Sequence, residues 1–111
     1  MRFGKRMIEA VRQGRKTLTI RKSPRKLGVK IVEEGGRTFY DHVDTGLRIR
    51  ITEVWPIHDI DTYVLENYDA EGFDSPADMV KYIRNDLKMK KFPPCMWAHR
   101  FYLIRGGPYQ S

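Results

Sequence analysis

The sequence predicts an α+β domain built on one mostly antiparallel, curled sheet, and three observations predict it. The periodicities run helix, several strands, two helices, last strand, without the regular strand–helix alternation of a parallel sheet. The clearest strand stretch alternates apolar and polar residues, as a half-buried strand does. The 111 residues are one domain's worth, and a chain of that length buries about two-thirds of its unfolded surface around a single core. A small, partly closed barrel is one way for such a sheet to hide its edges. The chain is therefore read as one domain over 1–111, with a core of about 5–104 and a tail at 105–111.

The elements follow in order. Met7, Ile8, Ala10 and Val11 recur at helical spacing and Gly14 suits the position after a helix end, which predicts a helix over residues 5–13. Thr17 to Arg21 is β-branched and alternating, so a strand follows. Ser23-Pro24-Arg25-Lys26 reads as a basic loop, and Val29 to Glu33 as a second strand ended by Glu34-Gly35-Gly36. Thr38 to Tyr40 is placed to pair back across that turn. Leu47 to Thr52 alternates with its apolar residues on odd positions, and the run extends to Trp55, where Pro56 is expected to stop it. Asp59 or Asp61 caps a short helix carrying Ile60, Tyr63 and Val64. Ser75-Pro76-Ala77-Asp78 starts another, with Met79, Ile83 and Leu87 on one face. Lys88, Lys90 and Lys91 suit its C-terminal end, Pro93-Pro94 breaks it, and Trp97 to Ile104 forms the last strand.

Composition excludes several classes of protein. One cysteine, Cys95, forms no intrachain disulfide and builds no zinc site by itself. His42, His58 and His99 are scattered without metal-ligand spacing, so neither a metal nor a cofactor is expected. No apolar run approaches the roughly 20 residues of a membrane span, and a cytoplasmic monomer with no membrane partner is the expectation. The net charge is +7, and it is unevenly placed. Residues 1–30 hold eleven Lys or Arg and one acid, Glu9, whereas residues 41–80 hold ten Asp or Glu against Arg48 and Arg50. A basic face of this kind draws a polyanion by counterion release. Solubility and ion-pair networks account for the same charges without a ligand.

The densest chemistry lies in Gly14-Arg15-Lys16-Thr17-Leu18-Thr19-Ile20-Arg21. On a strand Thr17, Thr19 and Arg21 share a face, with Lys16 at the turn before them. Two hydroxyls, an ammonium and a guanidinium suit phosphate, carboxylate or polar base edges. An exposed strand face uses the same residue types without function. The loop residues Lys22, Arg25 and Lys26 are the best candidates for phosphate contact beyond the motif.

This motif, following an amphipathic helix, resembles the opening motif of the ASCH family, whose small β-barrels are related to the PUA RNA-binding domains. Glu71-Gly72-Phe73-Asp74-Ser75, before a capped helix, resembles that family's acidic segment. Trp97 to Ile104 falls where the family's last barrel strand falls, so the resemblance covers about residues 5–104. The chain departs from the family in having Gly28-Val29 where members often have Gly-Asp, and in an insertion-like segment at Glu33 to Gly46.

The resemblance implies a PUA-like barrel that binds RNA or a modified nucleoside in a pocket near Lys16, Thr19, Arg21 and Glu71; with the basic loop read as its electropositive rim, the binding set is Arg15, Lys16, Thr17, Thr19, Arg21, Lys22, Arg25 and Lys26. It also implies an alternative. Some members of similar length hydrolyse N4-acetylcytidine to cytidine and acetate. On that reading Thr19 is the nucleophile, Lys16 its activating base, and Glu71 a proton shuttle or substrate partner. A threonine hydroxyl needs an adjacent base, and lysine serves only when burial or neighbouring cations lower its pKa. Arg15 and Arg21 offer such a field, and Glu71 opposes it. The same triad also suits a pure binder. Tyr63 and Tyr68 are near enough in sequence to offer Glu71 a stacking or hydroxyl contact, or else to pack in the core, and Trp55 and Trp97 are read as core or pocket-wall residues.

Overall fold

The computed structural model describes residues 1–35, 43–85 and 96–104. Among these, a five-stranded sheet curls into a half-barrel and three helices pack with it. The strands are β1 (Arg2–Phe3), β2 (Leu18–Arg21), β3 (Gly28–Glu34), β4 (Val43–Ile57) and β5 (Met96–Leu103). The helices are α1 (Lys5–Arg12), α2 (Ile60–Asn67) and α3 (Pro76–Asn85). The strand order is β1-β3-β4-β5-β2. β1 runs parallel to β3, and the other pairings are antiparallel.

The local signals explain most of these elements. α1 buries Met7, Ile8 and Val11, and Gly14 follows it at φ 76°, a conformation that glycine adopts freely. Asp59 caps α2 by accepting from Thr62 N at 3.1 Å, and Ser75 caps α3 by accepting from Asp78 N at 3.1 Å. In β4, Leu47, Ile49 and Ile51 face inward, as their odd positions require. The pairing shifts between Ile51 and Glu53, and a bulge of that kind bends a strand.

Two expectations change, and one strand is added. Pro56 does not stop β4, because it pairs with Trp97 and the strand runs on to Ile57. β3 pairs β4 only as far as Ile51, so beyond it one edge of β4 has no β3 ladder for a proline to break. β2 is buried on both faces rather than presenting an exposed one, because its neighbours close over it: Leu18, Thr19 and Ile20 are all buried. β1 has no sequence signal at two residues, and it forms by pairing with Glu33 and Glu34 at the edge of β3. Thr38 to Tyr40, Leu87 to Cys95 and the tail lie outside the described residues.

The core fills the inside of the curl. Val11, Val32, Ile49, Phe73, Met79 and Ile83 are among its most buried members. Each such side chain contributes about 1.5–3 kcal/mol by leaving water. The open edges of the half-barrel, β1 and β2, are bridged by the Arg21 side chain, with Nη2 donating to Arg2 O at 2.7 Å. Among the described residues no helix is long and apolar enough to cross a membrane.

Candidate functional site

Lys16 and Thr19 enter the core from the turn after α1 and from β2. The turn is tightly held, with Arg15 N and Lys16 N both donating to Ala10 O. Thr17 N and Leu18 N donate to Ala70 O at 2.8 and 3.1 Å, which ties β2 to the segment carrying Glu71. That segment reverses at Gly72, at φ 96°. A Cβ there would lie 3.4 Å from Ala10 Cβ and from Met7 Sδ, and 3.5 Å from Lys16 Cβ. Those are ordinary contact distances, so the positive φ rather than crowding calls for glycine at this turn.

The three motif residues are almost sealed from water: Lys16 is 4% exposed, Thr19 2% and Glu71 2%. Lys16 Nζ donates to Glu71 O at 2.7 Å and stands 3.3 Å from Glu71 Oε1. The second carboxylate oxygen accepts from Tyr63 OH at 2.6 Å. Arg21 Nη1 donates to Thr19 Oγ1 at 2.5 Å and to Ile20 O at 2.8 Å. Its guanidinium stands 5.0 Å from the centroid of the Phe3 ring, and Lys16 Nζ stands 6.0 Å from the same ring. Every buried side-chain polar atom among the described residues has a partner.

The electrostatics follow from this burial. Desolvation pushes the Lys16 ammonium below the usual lysine value; the Glu71 carboxylate pulls it back and the Arg21 guanidinium pushes it down again. Burial also lowers Arg21, against the opposing pull of Tyr82 and Glu71. Burial, then the Glu71 charge and hydrogen bond, hold the Tyr63 phenol well above its usual value, so Tyr63 remains a donor. The set offers donors from Lys16, Arg21 and Tyr63, an acceptor in Glu71, and a hydroxyl in Thr19. That is the vocabulary for recognising a polar heterocycle.

The remaining predicted residues divide into two groups. Arg15 is occupied at the surface, where Nη2 donates to Asp74 Oδ1 at 2.7 Å and Phe73 O at 2.9 Å, with Asp69 at 3.6 Å. It braces the Glu71 segment from outside. Thr17 is half-buried on the turn. Lys22, Arg25 and Lys26 are exposed on the loop between β2 and β3. Much of the acidic stretch is spent on cations within the chain, as in Arg15–Asp74, Arg48–Asp44 and Arg100–Glu53.

Sequence reasoning passed over His99. It is fully buried opposite Thr19 in the β2·β5 pairing. Its Nε2 accepts from Arg25 N at 3.0 Å, which leaves the hydrogen on Nδ1, 3.4 Å from Thr19 O. His99 therefore joins the motif strand to the basic loop. Only the strand register, invisible in the sequence, brings it there.

No protein-family model matches the chain, and no curated protein matches it. Among solved structures the chain is similar to the crystal structure of protein EF3133 from Enterococcus faecalis, which carries the family label DUF984. The two share 20% identity with a TM-score of 0.57, and the match covers 89% of this chain and 70% of that one. At that identity the likeness is one of fold.

Proposed function

We propose that the protein binds a modified nucleoside of RNA at the Lys16–Thr19–Arg21–Glu71 cluster, as an ASCH-type, PUA-like domain. The observation that carries this reading is the buried ionic set itself. Apolar side chains of the same volume would stabilise the fold as well or better than a buried Lys–Glu pair. A small domain that instead brings an ammonium, a carboxylate, a phenol, a guanidinium and a hydroxyl together has a polar ligand as its simplest reason. The exposed cations of the β2–β3 loop stand beside the cluster, joined to it through His99, and suit a phosphate-bearing ligand.

A second reading, hydrolysis of N4-acetylcytidine, is favoured by the lowered Lys16 pKa. Thr19 Oγ1 would attack the acyl carbon, the amine of cytidine would leave with the proton relayed by Lys16, and water would release acetate from the Thr19 ester. In the free protein Lys16 Nζ is held by Glu71 and Thr19 Oγ1 by Arg21. The two exchange partners before a proton passes between them.

One experiment separates the readings. Calorimetric titration with N4-acetylcytidine is followed by chromatography of the same sample, with Thr19→Val and Lys16→Met in parallel. Binding without release of cytidine, weakened in Lys16→Met, supports the binder. Release that stops in Thr19→Val supports the hydrolase. Neither heat nor product from folded protein overturns both.

A further inference from the structure

Val54, His99 and Thr19 lie opposite one another across β4, β5 and β2, in one row of the sheet. Two strand spacings, about 10 Å, separate the ends of such a row. At the Val54 end lies a hollow of about 610 Å³ between the loop residues Pro24 to Leu27 and Glu53, Val54 and Trp55 of β4. That volume is within the range of small-molecule sites.

Its walls are of two kinds. Pro24, Leu27, Val54 and Trp55 give it apolar sides, and Arg25, Lys26 and Glu53 give it charge. The Trp55 ring already carries a cation, with the Arg100 guanidinium 5.4 Å from its centroid and Nε 3.0 Å from Glu53 Oε1. The loop side does not hang free. Arg25 N is anchored on His99 Nε2, and Arg25 Nη1 on Ser23 Oγ at 3.0 Å. Arg25 is thus held on the side of the hollow whose anchor, His99, reaches Thr19 O, and Lys26 follows it in the chain.

We propose that this hollow takes the base of a nucleotide flanking the one held at the Lys16–Glu71 cluster, so that the ligand is a single strand of RNA rather than a free nucleoside. This inference rests on the reading of that cluster given above. A planar base suits an indole wall, since base–aromatic stacking tolerates any sequence and is reinforced by an arginine on the ring. The linking phosphate suits Arg25 and Lys26, which stand on the loop joining the two sites. Glu53 offers an acceptor to an exocyclic amino group or a ribose hydroxyl. A free nucleoside leaves all of these groups unused.

Trp55 is its own reporter. The chain has two tryptophans, so Trp97→Phe leaves Trp55 as the sole emitter. This variant is titrated with N4-acetylcytidine, with a pentaribonucleotide bearing it at the centre, and with the unmodified pentamer. We expect the modified pentamer to quench Trp55 and to bind about tenfold more tightly than the nucleoside. Arg25→Ala with Lys26→Ala should reduce the slope of log affinity against log salt by about 1.4, the value for two contacts on a single strand. If Trp97→Phe does not fold, Trp55→Phe in otherwise unaltered protein must erase the quench. Equal affinity of nucleoside and pentamer, with Trp55 emission unmoved, overturns the flanking site and leaves the cluster reading intact. Quenching by the unmodified pentamer that is indifferent to Lys16→Met keeps the flanking site and overturns the cluster reading. No binding by any of the three overturns both.

Discussion

Glu71→Gln keeps the shape of the side chain and removes its charge, so it tests whether the buried pair is coupled as its geometry requires. In the native protein Lys16 Nζ stands 3.3 Å from Glu71 Oε1, with both side chains nearly sealed from water. At an effective dielectric of about 20, two unit charges at that separation attract by about 5 kcal/mol. Removing one partner of a buried pair typically costs about 3–5 kcal/mol, because the other charge is left without compensation. For a domain of this size that is a fall in Tm of about 15 °C. The pH dependence gives an independent sign. Burial already holds the folded Lys16 below its unfolded value. Between the two values the unfolded chain binds the extra proton, so stability rises as pH climbs through that window towards about 10.4. Without Glu71 the folded value drops further and the window widens towards neutrality. The deficit of Glu71→Gln against the native protein therefore narrows as pH rises. Urea unfolding at pH 7 and 9.5 reads both effects, and Lys16→Met with Glu71→Leu should recover most of the loss. A deficit under about 1 kcal/mol at unchanged m, or one that grows with pH, would refute the coupling.

Three further outcomes follow from the same geometry. Burial lowers the folded pKa of His99, whose Nε2 accepts from Arg25 N. Stability is therefore full above the ordinary histidine value of about 6.5 and is lost as pH falls through the window below it. Urea midpoints between pH 7 and 5 should fall in the native protein and stay flatter in His99→Gln; parallel curves would count against a buried neutral imidazole. Arg21→Met removes the bonds to Thr19, Ile20 and Arg2, and about 2 kcal/mol of stability with them. It should also speed amide exchange at Glu33 and Gly35, whose N–H groups bond to Met1 O and Phe3 O; unchanged exchange would mean that β1 needs no latch. Gly72→Ala places a side chain at φ 96° against α1. It should cost about 1–3 kcal/mol in chemical denaturation, and a neutral result would show that the turn relaxes freely.

Much of the fold was legible locally. α1 with its Gly14 stop, the Asp59 and Ser75 caps, and the inward odd positions of β4 each depend on a few neighbouring residues, so propensity and period reveal them. Pro56 misled because a proline's cost depends on whether its edge of the strand is paired, which is a property of the sheet. β1 was invisible because two residues carry no period, and only the exposed edge of β3 makes them a strand.

The candidate site divides in the same way. The sequence by itself determined the residue types and the motif that placed Lys16, Thr19, Arg21 and Glu71 together as candidates, and it determined the concentration of cations near the N-terminus. Tertiary structure decided that Thr19 and Arg21 belong to a strand buried on both faces, that Lys16 is sealed at the turn before it and meets Glu71 across 55 residues of chain, and that His99 stands against Thr19 across 80. It also spent Arg15 on Asp74 and Arg21 on closing the half-barrel. Burial, register and pairing partners are properties of the packed chain. They set the pKa of Lys16 and the tautomer of His99, and no local pattern carries either.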